Sequence, residues 1–156
     1  MKKIIYFFIF TFFFSIISYA DDKKIQVIDG DTIHIGKLKY RFFGIDAPET
    51  KQICEKDNIK IQCGVIAKNV LKNKIANKIP ECVVKDKDRY QRLVAECFIG
   101  KESLSRFMVR EGYAVAYTQY SKDFIEDEKY AKENKLGIWS MNFQMPSEYR
   151  KSLRSK

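Results

Sequence analysis

Four carboxylates and one arginine stand within twenty-one residues of a chain that otherwise carries a large positive excess. They fall in two short segments, Asp29-Gly30-Asp31-Thr32 and Arg41-Phe42-Phe43-Gly44-Ile45-Asp46-Ala47-Pro48-Glu49. Neighbouring carboxylates oppose each other's ionisation unless a cation neutralises them. A bound divalent ion is the economical explanation, and hard oxygen ligands favour Ca²⁺ or Mg²⁺ over zinc or copper. A cation held by carboxylates beside an arginine, on a surface that attracts polyanions, points to phosphodiester cleavage.

Spacing suggests how these groups meet. Asp31 stands where a strand leaves its turn, and Asp46 where the next strand ends. Pairing of those strands about Ile35-Gly36 would set the two aspartates nearly opposite one another. Asp29 is near enough to act on the ion directly or through water. Glu49 follows past a proline that restricts the backbone, where a carboxylate could orient or deprotonate a water. Arg41, Phe43 and Ile45 would share one face of a continuous strand, so Arg41 should point to a barrel or cleft. A half-buried arginine needs an anion, whether a protein carboxylate or a substrate phosphate. Arg92, at the opening of a later strand, is a second candidate, because guanidinium groups suit charge gathering on phosphate oxygens. Each short motif taken alone also reads as ordinary turn chemistry, since Asp-Gly and Asp-Ala-Pro are common turns. Their combination is what leans toward a site.

The rest of the chain must position these groups. Met1-Lys2-Lys3 precedes an apolar run from Ile4 to Ile17, and Ser18-Tyr19-Ala20 offers small residues for cleavage. Residues 1–20 have the layout of a secretory signal peptide, with an uncleaved anchor as the alternative. Its removal would leave 136 of the 156 residues, enough for one domain spanning 21–156 with a basic C-terminal tail. The formal charge falls from +9 to +7 once Lys2 and Lys3 leave. That excess favours nucleic acid or an anionic surface as partner, although solubility alone could account for it. Cys54, Cys63, Cys82 and Cys97 are an even set in an exported chain, which reads as two disulfides. Three pairings are possible. The favoured one joins Cys54 to Cys63 and Cys82 to Cys97, because pairing 82 with 97 also sets Val84 opposite Ala95 in a consistent hairpin register. A zinc site is the rival, but there is no CxxC pair and His34 is the only histidine.

Lys24–Ile28, Thr32–Ile35 and Leu38–Ile45 read as three strands in a meander. Residues 46–62 read as a polar loop whose length suggests function or a covalent tie. Val65, Ile66, Val70, Leu71 and Ile75 recur at helical spacing, which predicts an amphipathic helix over 64–77. Residues 81–85 and 93–99 read as two further strands. Ser103 N-caps a helix through Arg110, closed by Gly112. Residues 113–117 read as extended, and 122–135 as a charged helix. The tail is basic, with Phe143, Met145 and Tyr149 as packing points. The pattern predicts a mainly β fold with helices: a five-stranded, partly open OB-like barrel carrying about three packed helices.

Five blocks now resemble one family. They are Asp29-Gly-Asp-Thr, Arg41-x-x-Gly-Ile-Asp-Ala-Pro-Glu, Asp88-Arg89-Tyr90-Gln91-Arg92, Val109-Arg110-Glu111-Gly112-Tyr113-Ala114 and Gly137-Ile138-Trp139. In this order, across about residues 24–140, they are similar to the staphylococcal nuclease (thermonuclease) family. The four cysteines resemble its exported bacterial branch. The resemblance implies a Ca²⁺-dependent, sugar-non-specific endonuclease that cuts DNA and RNA to leave 3′-phosphate ends. It implies Asp31, Asp46 and the Ala47 backbone carbonyl as metal ligands, with Asp29 acting through water. Glu49 would be the general base or water-orienting group, and Arg41 and Arg92 would stabilise the phosphate in the transition state. Arg89 and Tyr90 match nucleotide-contacting positions, and Tyr117 and Tyr120 fall near a tyrosine region that packs on the base. Ala47 stands where the family has threonine, and Gln91 where it has glycine. The latter position could require a positive φ, so the turn before Arg92 could be altered.

These readings combine into an exported monomer, periplasmic or secreted, acting on single-stranded or frayed nucleic acid, which a shallow OB groove suits. A non-catalytic nucleic-acid-binding OB module is the alternative. The presence of Arg41, Glu49 and Arg92 beside both aspartates argues against it. A binder of anionic envelopes or membrane surfaces rests on charge alone and leaves the clustered acids without a reason.

Overall fold

The computed structural model describes residues 24–155. The signal peptide expected over residues 1–20 lies outside the described residues.

Three strands, β1 (Ile25–Val27), β2 (Thr32–Ile35) and β3 (Leu38–Phe42), form an antiparallel meander. The β2–β3 register pairs Ile35 with Leu38 and Thr32 with Arg41. The third strand does not run on to Ile45 as the pattern suggested. Gly44 takes φ 72° and turns the chain, and glycine is needed there both for that φ and because an added Cβ would meet the Phe124 ring at 2.7 Å. Beyond it, the short strand β4 (Ile45–Asp46) leaves the main sheet.

Residues 46–62, expected to be a structureless loop, contain a small hairpin of β5 (Cys54–Lys56) and β6 (Ile59–Ile61). Its turn is Asp57-Asn58, both with positive φ, a conformation that Asp and Asn tolerate better than most residues. The helix α1 (Cys63–Ile75) follows. Its buried stripe is Cys63, Gly64, Ala67, Leu71 and Ile75. Val65, Ile66 and Val70, which the periodicity placed on that stripe, lie at its half-buried flanks.

Next come β7 (Glu81–Lys87) and β8 (Leu93–Ile99), an antiparallel pair with a bulge between Val84 and Asp86. Cys82 opposes Cys97 and Val84 opposes Ala95, as the spacing predicted. β8 also pairs in parallel with β3, giving the sheet order β1-β2-β3-β8-β7. The five strands form the expected partly open, OB-like barrel. The short β9 (Glu102–Ser103) folds back antiparallel on the end of β8 and leads into α2 (Leu104–Arg110), whose N-cap Ser103 accepts the Arg106 N–H at 3.0 Å. β10 (Val115–Ala116) then pairs with β4, and α3 (Ile125–Glu133) and a 3₁₀ turn over Gly137–Ser140 follow.

The basic C-terminal tail, beyond the three helices expected, contains a fourth helix, α4 (Pro146–Arg154). Proline at its first position, Glu148 in the first turn, and Lys151 and Arg154 in the last agree with helix-end preferences. Barrel and helices share a core that includes Ile33, Phe42, Leu71, Ala95, Leu104 and Met108. A smaller cluster, Cys54, Cys63, Val115 and Ile138, anchors Trp139, Met141, Phe143 and Met145. Both favoured disulfides are present, Cys54–Cys63 and Cys82–Cys97, and no described cysteine is free for zinc.

Candidate active site

Asp31 and Asp46 meet, but not by the register expected of them. The β2–β3 pairing puts Asp31 across from Phe42, whose N–H donates to the Asp31 carbonyl at 2.8 Å. The turn at Gly44 then brings Asp46 back toward Asp31. β4 is held there by β10, with Val115 opposite Asp46 and Ala116 opposite Ile45. The 113–117 run therefore acts as the clamp that fixes one aspartate against the other.

Both carboxylates are buried, each about 1% exposed. Arg41 lies between them. Its Nη1 donates to Asp31 Oδ1, and its Nη2 donates to Asp46 Oδ1 at 2.8 Å and to the Ile45 carbonyl at 3.3 Å. Asp31 also accepts from the Ala47 N–H at 2.6 Å and the Thr32 hydroxyl at 3.1 Å. Asp29 is on the same turn and accepts the Asp31 N–H at 3.0 Å. Burial pushes the Asp31 carboxyl well above the usual carboxylate range. The Arg41 charge and the Ala47 N–H pull it down, while Asp29 and Asp46 add to the rise. Burial also opposes the charge on Arg41, but Asp31 and Asp46 outweigh it and raise its pKa.

Glu49 is placed by a different set of contacts. Its carbonyl accepts the Gln52 N–H at 2.7 Å, and its own N–H donates to Gln52 Oε1 at 3.3 Å. Fully buried Gln52 is tied in turn to the Gln144 carbonyl at 2.6 Å. Gly64, in the first turn of α1, packs directly under Glu49. A Cβ at that position would fall 1.8 Å from the Glu49 carbonyl oxygen. The Cys54–Cys63 bridge ends one residue earlier, so it ties the hairpin to the helix that supports Glu49.

Arg92 approaches from the other wall. The parallel β3–β8 register sets Leu93 beside Tyr40 and Val94 beside Arg41, so Arg92 opens toward the same cleft. It is held by Asp88, which accepts the Arg92 and Tyr90 N–H groups at 2.9 Å each and Arg92 Nε at 2.7 Å. Partial burial opposes ionisation of Asp88. The Arg92 N–H, guanidinium and charge outweigh it, with help from the Tyr90 N–H, and hold the carboxyl below its ordinary range. Gln91 keeps φ 64°, so the turn before Arg92 retains its left-handed residue without glycine. The Arg89 and Arg92 guanidinium groups lie 5.0 Å and 5.6 Å from the Tyr90 ring centre. Tyr117 and Tyr120 form an edge-to-face pair at 4.8 Å.

All these groups border one cleft of about 920 Å³, lined by Asp29, Arg41, Glu49, Arg89, Tyr90, Arg92, Tyr117 and Tyr120 among others. Asp31, Asp46 and Ala47 are buried at its acidic end, joined to the lining through Arg41. The structure thus brings every expected site residue to one place. It also adds three that the sequence did not reveal in this role: Asp88, Gln52 and Arg150. Arg150, on α4, donates from Nη1 to Asp46 Oδ1 at 2.8 Å and to Glu49 Oε1 at 3.0 Å, and from Nη2 to Asp46 Oδ2 at 2.9 Å. A basic tail with packing points at Phe143, Met145 and Tyr149 carries no pointer to it.

The donor set fits a hard divalent cation. Two buried carboxylates share one guanidinium and draw a second from a distant helix, so the position demands positive charge. Among the described residues no three acidic, cysteine or histidine side chains converge closely enough to hold a metal by themselves. Asp31 and Asp46 would therefore need further oxygen ligands, from backbone and water.

Comparison with known proteins agrees with this geometry. Residues 39–141 match the family model described as staphylococcal nuclease homologue. An uncharacterized endonuclease of Haemophilus influenzae is 30% identical over 151 residues, covering 88% of this chain and 80% of the relative. An uncharacterized endonuclease of Escherichia coli is 30% identical over 127 residues, covering 76% of each. The thermonuclease of Staphylococcus hyicus is 34% identical over 130 residues, covering 76% and 75%.

Proposed function

The chain belongs to the staphylococcal nuclease family, and from that premise we propose that it is an exported, Ca²⁺-dependent endonuclease that hydrolyses DNA and RNA without regard to the sugar and leaves 3′-phosphate ends. That it is a nuclease, a metal-dependent hydrolase of nucleic acid, follows from the family. The choice of ion, the products and the export are the proposal. One observation carries it: Asp31, Asp46, Arg41 and Glu49 meet at one end of a cleft whose other wall bears Arg89, Tyr90, Arg92 and a tyrosine pair.

Asp31, Asp46 and the Ala47 carbonyl would hold the ion, with Asp29 reaching it through water. A bound Ca²⁺ would supply charge neutralisation and polarisation at the phosphate. Glu49, partly exposed to the cleft, would aim and deprotonate a water for in-line attack. Arg41 and Arg92 would take up charge on the phosphate oxygens as it develops. Asp88 fixes Arg92 in direction, so little reorganisation would be needed at the moment of reaction. Arg89, Tyr90, Tyr117 and Tyr120 would receive the strand by stacking and charge, which favours splayed single strands or frayed ends. The two disulfides suit an oxidising compartment. Among the described residues no helix is long and apolar enough to cross a membrane.

The test is cleavage of a fluorescent single-stranded DNA in millimolar Ca²⁺ and in EDTA, beside Glu49→Gln. The expected result is cleavage that needs Ca²⁺ and is lost in the variant. Tight binding without cleavage in Ca²⁺, Mg²⁺ or Mn²⁺ would replace the enzyme reading with a binding module.

A further inference from the structure

Arg150 spends its hydrogen bonds on the two carboxylates that the proposed chemistry most needs. It is 104 residues from Asp46 and 101 from Glu49 in sequence. It reaches them because the segment before α4 is firmly docked. Glu55 and Asn142 exchange backbone hydrogen bonds at 2.8 and 2.7 Å, Trp139 and Phe143 pack edge to face at 5.0 Å, and Gln144 caps Gln52 at 2.6 Å. On α4 itself the Tyr149 hydroxyl donates to the Lys51 carbonyl at 3.3 Å. The guanidinium is thus carried to the acidic end of the cleft by a braced arm.

The arrangement at Asp46 is crowded. Oδ1 accepts from both Arg41 and Arg150, and Oδ2 accepts from Arg150. A carboxylate offers about four lone-pair sites, and three are taken. The Arg150 contact is a two-point fork, the strongest way a guanidinium holds a carboxylate. An incoming cation would meet both a blocked ligand and a positive charge already seated beside it.

We propose that Arg150 is an internal competitor for the divalent ion: guanidinium and metal exclude one another at Asp46, and metal binding is an exchange reaction. The inference rests on the assignment of Asp31 and Asp46 as metal ligands. Its consequence is a site kept latched where divalent ions are scarce and opened where they are plentiful. Apparent metal affinity falls by the fraction of molecules in which Arg150 is seated.

Calorimetric titration of the purified protein with Ca²⁺ alone, without nucleic acid, tests this. Four proteins are compared: the natural sequence, Arg150→Gln, Arg154→Gln and Asp46→Asn. Arg154 borders the same cleft from the same helix but forms no hydrogen bond or ion pair with Asp46 or Glu49, so its loss reports the effect of charge at a distance. The expected result is Ca²⁺ binding about tenfold tighter in Arg150→Gln, as for a competitor seated roughly nine-tenths of the time. Arg154→Gln should stay within about twofold of the natural sequence on the same arithmetic, and Asp46→Asn should bind far more weakly. Equal tightening in both arginine variants, or unchanged or weaker binding in Arg150→Gln, overturns the exchange while leaving the metal site standing. Ca²⁺ binding that Asp46→Asn does not weaken, or no binding in any of the four, removes the metal assignment and the exchange with it.

Discussion

Replacing Gly64 by alanine should cost catalysis far more than the size of a methyl group suggests. The new Cβ would stand 1.8 Å from the Glu49 carbonyl oxygen, 2.5 Å from its carbonyl carbon and 2.9 Å from Thr50 Cα. Ordinary contact begins at 3.4 Å, so the first pair must open by about 1.6 Å. All three atoms are backbone, so no side chain can rotate away. Two bodies can yield. One is α1, fixed by Ala67, Leu71 and Ile75 in the core and by the Cys63 bridge. The other is the 47–52 segment, which lies outside the helices and strands and carries Glu49. The segment should yield, taking the proposed base with it. A displacement of about 1 Å at a reacting group can cost on the order of 100-fold in rate, or about 2.7 kcal/mol of barrier. Overpacking should cost stability about 1–3 kcal/mol in addition. Initial cleavage rates at saturating Ca²⁺ on a fluorescent oligonucleotide, beside thermal melts by circular dichroism, separate the two effects. A variant that melts lower yet keeps its full kcat would refute the reasoning, because Glu49 would then act from any position or not at all.

Two further outcomes follow from contacts elsewhere. Asp88 carries a pKa below its ordinary value, so its contribution is complete above the unfolded value of about 3.9 and is lost as pH falls through the lower folded value. The Tyr90 and Arg92 amide resonances should therefore hold steady through neutral pH and move only in stronger acid, and Asp88→Asn should abolish that step and lower kcat. The disulfides should divide their labour. Removing Cys82–Cys97, which spans 15 residues, should cost stability about 3 kcal/mol with cleavage largely kept in the folded fraction. Removing Cys54–Cys63, which spans 9, should cost slightly less stability but more kcat, because it ties down the support under Glu49. Denaturant melts beside cleavage rates of each double alanine variant read both quantities.

Local patterns carried much of the architecture. The β7–β8 register was legible because two cysteines and two apolar positions agreed on one alignment. The α2 start was legible because a serine cap is a short-range signal. The hairpin at 54–61 was missed because its strands are three residues each, too short for alternation to stand out, and its order comes from a covalent bridge and an Asp-Asn turn. The fourth helix went unassigned because only Pro146, Tyr149 and Leu153 mark its apolar side, within a short and mostly polar stretch.

The sequence by itself named the candidates: four acids, two arginines, and the basic surface that would bring a polyanion to them. Those are properties of residue type and spacing, and they survive without coordinates. Only the tertiary structure decided how the pieces meet. Asp31 and Asp46 converge through a left-handed turn at Gly44 and a clamp from β10, not through the ladder of β2 and β3. Glu49 depends on a glycine fifteen positions later, and Arg150 arrives from a helix about a hundred residues away. Such meetings are set by packing between elements distant in the chain, where spacing along the sequence carries no information about separation in space.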